Sequence, residues 1–258
     1  MSNTSPVLVL DFEGVICDAT QEVARLTRHA GASHSFENTR TMQGHPIDPI
    51  LLHRVAQVRR FARHLGHFQV ALVPDAHTVK TPEEFEALYA ASFDASSREQ
   101  FLASATQLRR QWREQEPKWW LSMLTLYRGM GAYLRKQRTL YLVTGRDQES
   151  VLAFLSSKRV VVPPDRIWEA GASKQEALLA IAQREQRAPS QLLFVDDQPV
   201  HVEAARQVGI RAYLATWDNA WQATEAPPPV VASVPTISLR ALQTGRYPDK
   251  DLARLSLS

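Results

Sequence analysis

Polar residues able to do bond chemistry recur at four places in this sequence, each after a short apolar run or at a helix start. Asp11 and Glu13 follow the run Val7 to Leu10. Thr144 and Gly145 follow Thr139 to Val143, Asp196 and Asp197 follow Leu192 to Val195, and Lys174 opens a helical pattern. Singly, each has an ordinary explanation: an aspartate after a strand is often a turn or cap residue, and a lysine in a first helical turn is usually solvated. In combination they form a set, namely two acidic loops, one hydroxyl and one ammonium group. Phosphoryl transfer through an aspartate needs that set. A carboxylate attacks phosphorus, and water then hydrolyses the acyl-phosphate, so one hard step becomes two. Two carboxylates and a phosphate oxygen suit Mg2+, which prefers hard oxygen ligands. The hydroxyl and the ammonium compensate charge on the transferring group.

Such residues can meet only if the elements bring them together. The continuous apolar runs Val7 to Leu10, Thr139 to Val143, Leu192 to Val195 and Ala212 to Ala215 look like strands buried on both faces. Helical patterns alternate with them: Ser150 to Leu155, Ser173 to Glu185 and Val200 to Val208. Ser173 and Glu176 have capping-box spacing, Pro199 suits a first helical turn, and Gly209 suits a helix end. The alternation predicts an α/β fold with a doubly wound, Rossmann-like parallel sheet. In such a sheet ligands bind outside the carboxyl ends of the strands.

The middle of the chain differs. Ile47, Ile50, Leu51, Val55, Val58, Phe61 and Leu65 recur at helical spacing. Leu88, Tyr89 and Phe93 suggest a helix after Pro82, and Phe101, Leu102 and Leu108 another after Ser97. Phe68 to Val73 fits either a strand or a helix. These patterns predict an all-helical insertion over 18–121 within an α/β core formed by 1–17 and 122–258. Ala226 to Pro229 is proline-rich, and a short final element is expected around Ile237 to Leu242.

The bulk composition limits the function classes. At 258 residues with 44% hydrophobic content, the chain can fill one large core and a smaller lobe. A net charge of +3, with bases and acids interspersed, gives no reason to expect a nucleic-acid partner despite a pI near 9.1. Cys17 has no cysteine partner, which fits a reducing compartment. The start lacks the basic lead-in of a signal peptide, and no run reaches the roughly 18 apolar residues of a membrane span. The expectation is a cytoplasmic protein with no membrane association; oligomeric state is not readable from the sequence.

Four stretches carry a family resemblance: VLVLDFEGV, LYLVTGRD, GASKQEALLA and LLFVDDQPVHVEAARQVGI. Together they resemble the four motifs of the haloacid dehalogenase-like superfamily of hydrolases, and the helical insertion resembles the class I cap of that family. The resemblance implies a phosphomonoester hydrolase acting on a small phosphorylated metabolite. Asp11 would be nucleophile and Mg2+ ligand, and Asp197 would bind the ion directly with Asp196 close by. The main-chain carbonyl of Glu13 would complete the protein ligands. Thr144 and Gly145 would hold the phosphate, and Lys174 would orient the nucleophile and neutralise charge.

Glu13 departs from the family pattern, which has aspartate as the acid and base at this position. Glutamate keeps the carboxyl group but adds one methylene, about 1.5 Å of reach. The alternative reading is a catalytically weak relative that binds a phosphorylated ligand or a protein partner. His201 stands where the family more often has aspartate or asparagine. Carbon–halogen cleavage is disfavoured by the acidic pair, and phosphonate cleavage by the scarcity of lysine in the insertion. Cys17 reads as a small buried residue, Asp18 as a helix cap, and Trp112, Trp119 and Trp120 as a packing cluster. Of Arg54, Arg59, Arg60, Arg63, Arg109, Arg110 and Arg113, most are expected on solvated helix faces, with one or two near a phosphate.

Overall fold

Apolar runs with no polar interruption are buried on both faces, and here they become strands of one parallel sheet. A computed structural model describes residues 5–31, 46–170, 173–217 and 234–247. Within these, the strands of the six-stranded sheet are β1 (Val7–Leu10), β2 (Leu140–Thr144), β3 (Ile167–Glu169), β4 (Leu192–Asp196), β5 (Arg211–Ala215) and β6 (Thr236–Ile237), and the short strands Cys17–Asp18 and Thr125–Leu126 form a separate pair. Their spatial order is β3-β2-β1-β4-β5-β6, every ladder parallel. β1 lies between β2 and β4, with Leu10 opposite Leu142 on one side and Val195 on the other. The chain order reverses at β1, so its carboxyl end stands at the topological switch point.

The chain divides into two units, residues 18–125 and the remainder. The first is helical: α1 (Thr20–Gly31), α2 (Pro49–Val58), α3 (Pro82–Ser92), α4 (Ala95–Gln115) and α5 (Pro117–Ser122). α3 begins with a full capping box, Thr81 and Glu84 satisfying each other's backbone amides. α4 starts three residues earlier than the periodicity suggests, because the Asp94 carboxylate caps the Ser97 amide at 2.7 Å. Its inner face is Phe101, Ala105, Leu108 and Trp112, and Leu102, one step round the helix, is 39% exposed. Ile50, expected in the core, is likewise 61% exposed, since α2 buries Leu51, Val55 and Val58 instead.

α2 also ends at Val58, short of the predicted Leu65. There Arg59 turns inward, its Nη1 3.7 Å from Asp18 Oδ1 and donating to Thr20 Oγ1 at 3.2 Å. Asp18 Oδ1 in turn accepts the Thr20 amide at 2.9 Å, at the entrance to α1. Residues Leu65–Leu72 form a 3-10 segment in which Gly66 to Ala71 are all buried. Six consecutive buried positions give neither helical nor strand periodicity, hence the ambiguity of this stretch in sequence.

In the α/β unit, α6 (Met130–Leu134), α7 (Gln148–Ser157), α8 (Gln175–Arg184), α9 (Pro199–Gln207) and α10 (Leu239–Thr244) alternate with the strands. Pro199 occupies the first turn of α9, and Gly209 follows its end with φ +81°. The expected capping box of Ser173 and Glu176 is not formed. The cap position falls on Lys174, whose ammonium is committed elsewhere, and no side-chain cap closes that turn. The proline-rich stretch at Ala226 and residues Gly171 and Ala172 lie outside the described residues. Among the described residues, no helix is long and apolar enough to cross a membrane.

Candidate active site

The ladders fix where the acidic residues end up. The Asp11 amide donates to the Val195 carbonyl at 2.9 Å, so Asp11 and Asp196 leave adjacent strands at the same level. Beyond Asp11 the chain turns at once, with the Ile16 and Cys17 amides both donating to the Phe12 carbonyl. Gly14 makes the turn possible at φ +80°. Trp217, just after β5, donates from its indole to the Val15 carbonyl at 3.0 Å and ties this loop to the next strand.

One carboxylate oxygen from each of Asp11, Asp196 and Asp197 lies within 4.8 Å of the others, and all three residues are buried. Lys174 joins the group from the start of α8, its Nζ 2.9 Å from Asp11 Oδ1 and 2.8 Å from Asp196 Oδ2. The three acids differ in their commitments. Both oxygens of Asp196 are used: Oδ2 by Lys174, and Oδ1 by the Gln198 amide at 2.8 Å and by the His201 ring at 3.2 Å. Asp11 Oδ1 is buried and, beyond the ion-pair approach of Lys174, has no aligned donor among the described residues. Asp197 is packed against the glycine turn.

The electrostatics follow from burial and charge. Burial pushes the Asp11 carboxyl up to about 6, with Lys174 pulling it down and Asp196 pushing it up. Burial also opposes the charge of Asp196, but Lys174 and then His201 outweigh it and hold that carboxyl below its usual range. For Lys174 burial is likewise outweighed, by Asp11 and Asp196, and the ammonium is held above its usual range. The pocket therefore contains a charged lysine, a firmly ionised Asp196, and an Asp11 carboxylate short of positive charge. Three hard oxygen donors with one of them undercompensated fit a divalent cation.

Gly14 gives this geometry a sharp test. A Cβ at that position would stand 2.2 Å from Asp197 Oδ2 and 2.7 Å from its Cβ. Asp197 would have to move, and the positive φ would strain any other residue. Gly14→Ala is expected to weaken divalent-cation affinity by roughly 10–100-fold, the range for disturbed support of a metal site. Titration calorimetry measures it; unchanged affinity would show that Asp197 is no ligand.

Thr144 ends β2 and is buried, its hydroxyl accepting the Arg146 amide at 3.2 Å. Gly145 is exposed at the same strand end, and Asp147 caps α7 through the Ser150 amide. Glu13 lies on the β1 loop, but its carboxylate is paired with Arg146, a residue the sequence reading passed over. Its position directly after Thr-Gly within the strand-end loop was the available signal. In the helical unit, Arg59 and Arg109 are buried on internal partners, and Arg110 pairs with Glu114 on the surface.

A parallel sheet with acids on two adjacent strand ends and a lysine between them defines an α/β enzyme with its site at the switch point. The chain belongs to the haloacid dehalogenase-like hydrolases, whose family model matches residues 6–209. No curated protein matches the sequence. Among solved structures, a haloacid dehalogenase-like hydrolase from Streptococcus pneumoniae is 12% identical, with a TM-score of 0.54 over 93% of this chain and 97% of that one. A predicted phosphoglycolate phosphatase from Haemophilus somnus 129pt is 13% identical, with a TM-score of 0.56 over 93% and 96%. A predicted phosphatase from Clostridium acetobutylicum is 12% identical, with a TM-score of 0.55 over 93% and 98%. At these identities the likeness is one of fold.

Proposed function

We propose that the protein is a Mg2+-dependent phosphomonoester hydrolase that works through an aspartyl-phosphate on Asp11, with a small phosphorylated metabolite as substrate. The observation that carries this reading is the convergence of Asp11, Asp196 and Asp197 within 4.8 Å, with Lys174 bridging the first two. In this scheme Asp11 attacks phosphorus as the bond to the leaving oxygen breaks, and water then attacks the acyl-phosphate. Glu13 gives its proton to the leaving oxygen and takes one from the water. The Thr144 hydroxyl and the Gly145 amide hold phosphate oxygens. Lys174 balances charge, and Asp196 keeps it in place. Asp11, Asp197 and the Glu13 carbonyl would hold Mg2+, with Asp196 adjacent; bound there, the ion supplies positive charge against the phosphate. The helical unit would serve as the substrate-selecting cap.

Purified protein assayed with p-nitrophenyl phosphate and a panel of phosphorylated metabolites is expected to turn over with Mg2+ and to stop with a chelator. Phosphate release that persists without any divalent ion would sink the metal assignment. No release from any ester, with phosphate still bound, would favour the binding-protein alternative.

The proton on Asp11 makes cation binding pH-dependent. Its folded pKa of about 6 lies above the ordinary carboxyl value of 3.8, so ionising it in the metal-free fold is unfavourable. The stability it contributes is present below the unfolded value and is lost as pH rises through about 6. Mg2+ relieves that loss only where Asp11 is ionised. The Mg2+-induced rise in Tm is therefore expected to be larger at pH 7.5 than at pH 5; equal shifts in thermal melts would argue against Asp11 as a ligand.

A further inference from the structure

The chemistry outlined above makes no use of Arg146, a buried cation two residues beyond Thr144 at the same strand end. Arg146 is only 2% exposed, although arginine is seldom buried without a partner. That partner is Glu13: Nε donates to Oε1 at 2.7 Å, and Nη2 lies 2.5 Å from the same oxygen. A guanidinium is planar, and with two of its nitrogens converging on Oε1 it tethers that oxygen at a set distance. The arginine is itself held. Its amide is bound by the Thr144 hydroxyl, and its guanidinium carbon lies 5.7 Å from the centre of the Phe12 ring. Phe12 in turn meets Phe154 edge-on at 5.4 Å. Glu13 is the more exposed of the two, with a side chain 25% exposed and one more rotatable bond than aspartate.

We propose that Arg146 is a positioning residue that fixes the Glu13 carboxylate for proton transfer, making the longer acid serviceable where the family uses aspartate. The inference rests on the phosphatase reading. In the first half-reaction a bond forms between an Asp11 oxygen and phosphorus. The bond to the leaving oxygen breaks, and that oxygen keeps the electron pair and takes the Glu13 proton. In the second, the oxygen of water bonds to phosphorus and the electron pair returns to Asp11. The proton of water goes to Glu13, and ester plus water has become alcohol plus phosphate.

The test is a double-mutant cycle on the full chain with Mg2+, using Arg146→Met, Glu13→Gln and the pair, with Asp11→Asn as control. Kinetics on an alkyl phosphate are read together with the inhibition constant for inorganic phosphate. Arg146→Met is expected to lower kcat by about a hundredfold, the effect of an ångström of misplacement, with KM and phosphate inhibition unchanged. Glu13→Gln is expected to lose roughly 10²- to 10⁴-fold. The double variant should be no slower than Glu13→Gln alone, because Arg146 acts through Glu13. Losses that multiply, or weaker phosphate inhibition in Arg146→Met, would overturn the inference by showing that the arginine meets the substrate itself. If Arg146→Met does not fold, Arg146→Lys carries the same cycle, since it keeps the charge and lacks the fork. Should Asp11→Asn retain turnover, the reading of Asp11 as nucleophile fails. Should it abolish turnover while the losses multiply, only the positioning role fails.

Discussion

Asp11→Asn will abolish phosphatase turnover, by on the order of 10⁴-fold or more, the scale seen when a nucleophile is removed. An amide has the shape of the carboxylate but cannot attack phosphorus. The variant is also expected to fold. Asp196 still pairs with Lys174 at 2.8 Å, so the ammonium keeps a counter-ion. In the metal-free protein above pH 6 the ionised Asp11 is a burden on the fold, its carboxyl being pushed up to about 6 by burial. Asn removes that burden, so the Tm of metal-free Asp11→Asn at pH 8 should match or exceed that of the parent, while the stabilisation by Mg2+ disappears. Residual turnover within tenfold of the parent, in a preparation free of contaminating phosphatase, would rule out Asp11 as nucleophile.

Glu22→Ala will destabilise the helical unit by about 3–5 kcal/mol, the range for removing one partner of a buried ion pair. Glu22 is fully buried and accepts from Arg109 and Trp120. Arg109 reaches it through Nε and Nη2, both at 3.1 Å, and the Trp120 indole donates at 2.7 Å. This contact ties α1 to α4 and α5. Alanine would remove the carboxylate that a buried guanidinium and an indole N–H both meet in the interior. The double variant Glu22→Leu with Arg109→Met should lose less than Glu22→Ala, because no charge is then stranded. Urea denaturation followed by tryptophan fluorescence measures both. A loss below about 1 kcal/mol in Glu22→Ala would mean that water reaches Arg109, as it does for exposed pairs.

Glu22 lies where sequence periodicity stops being informative. A glutamate in the first turn of a helix is an ordinary solvated residue that favours the helix N-terminus. Only the partner 87 positions away makes it internal. Arg146 poses the same problem, since an arginine after Thr-Gly looks solvated until Glu13 is found 133 positions away. Ile50 and Leu102 failed in the opposite direction, because an apolar side chain one step off the inner face is exposed. β3 was missed, and the final element expected around Ile237 to Leu242 divides into β6 and α10, because strands of three and two residues offer too few positions for a pattern.

By itself the sequence determined the α/β class, four strands of the sheet and the residues that stand at their ends. Short unbroken apolar runs closed by turn residues fit strands buried on both faces, and the polar residue that ends each run then lies at the rim of the sheet. Tertiary structure decided how the acids divide their work. Asp196 is drawn to Lys174 and His201, Asp197 is set against Gly14, and Glu13 is locked to Arg146. Those pairings depend on parallel strand register and on loops closing within a few ångströms, and distances of that size are fixed only when the whole sheet has assembled.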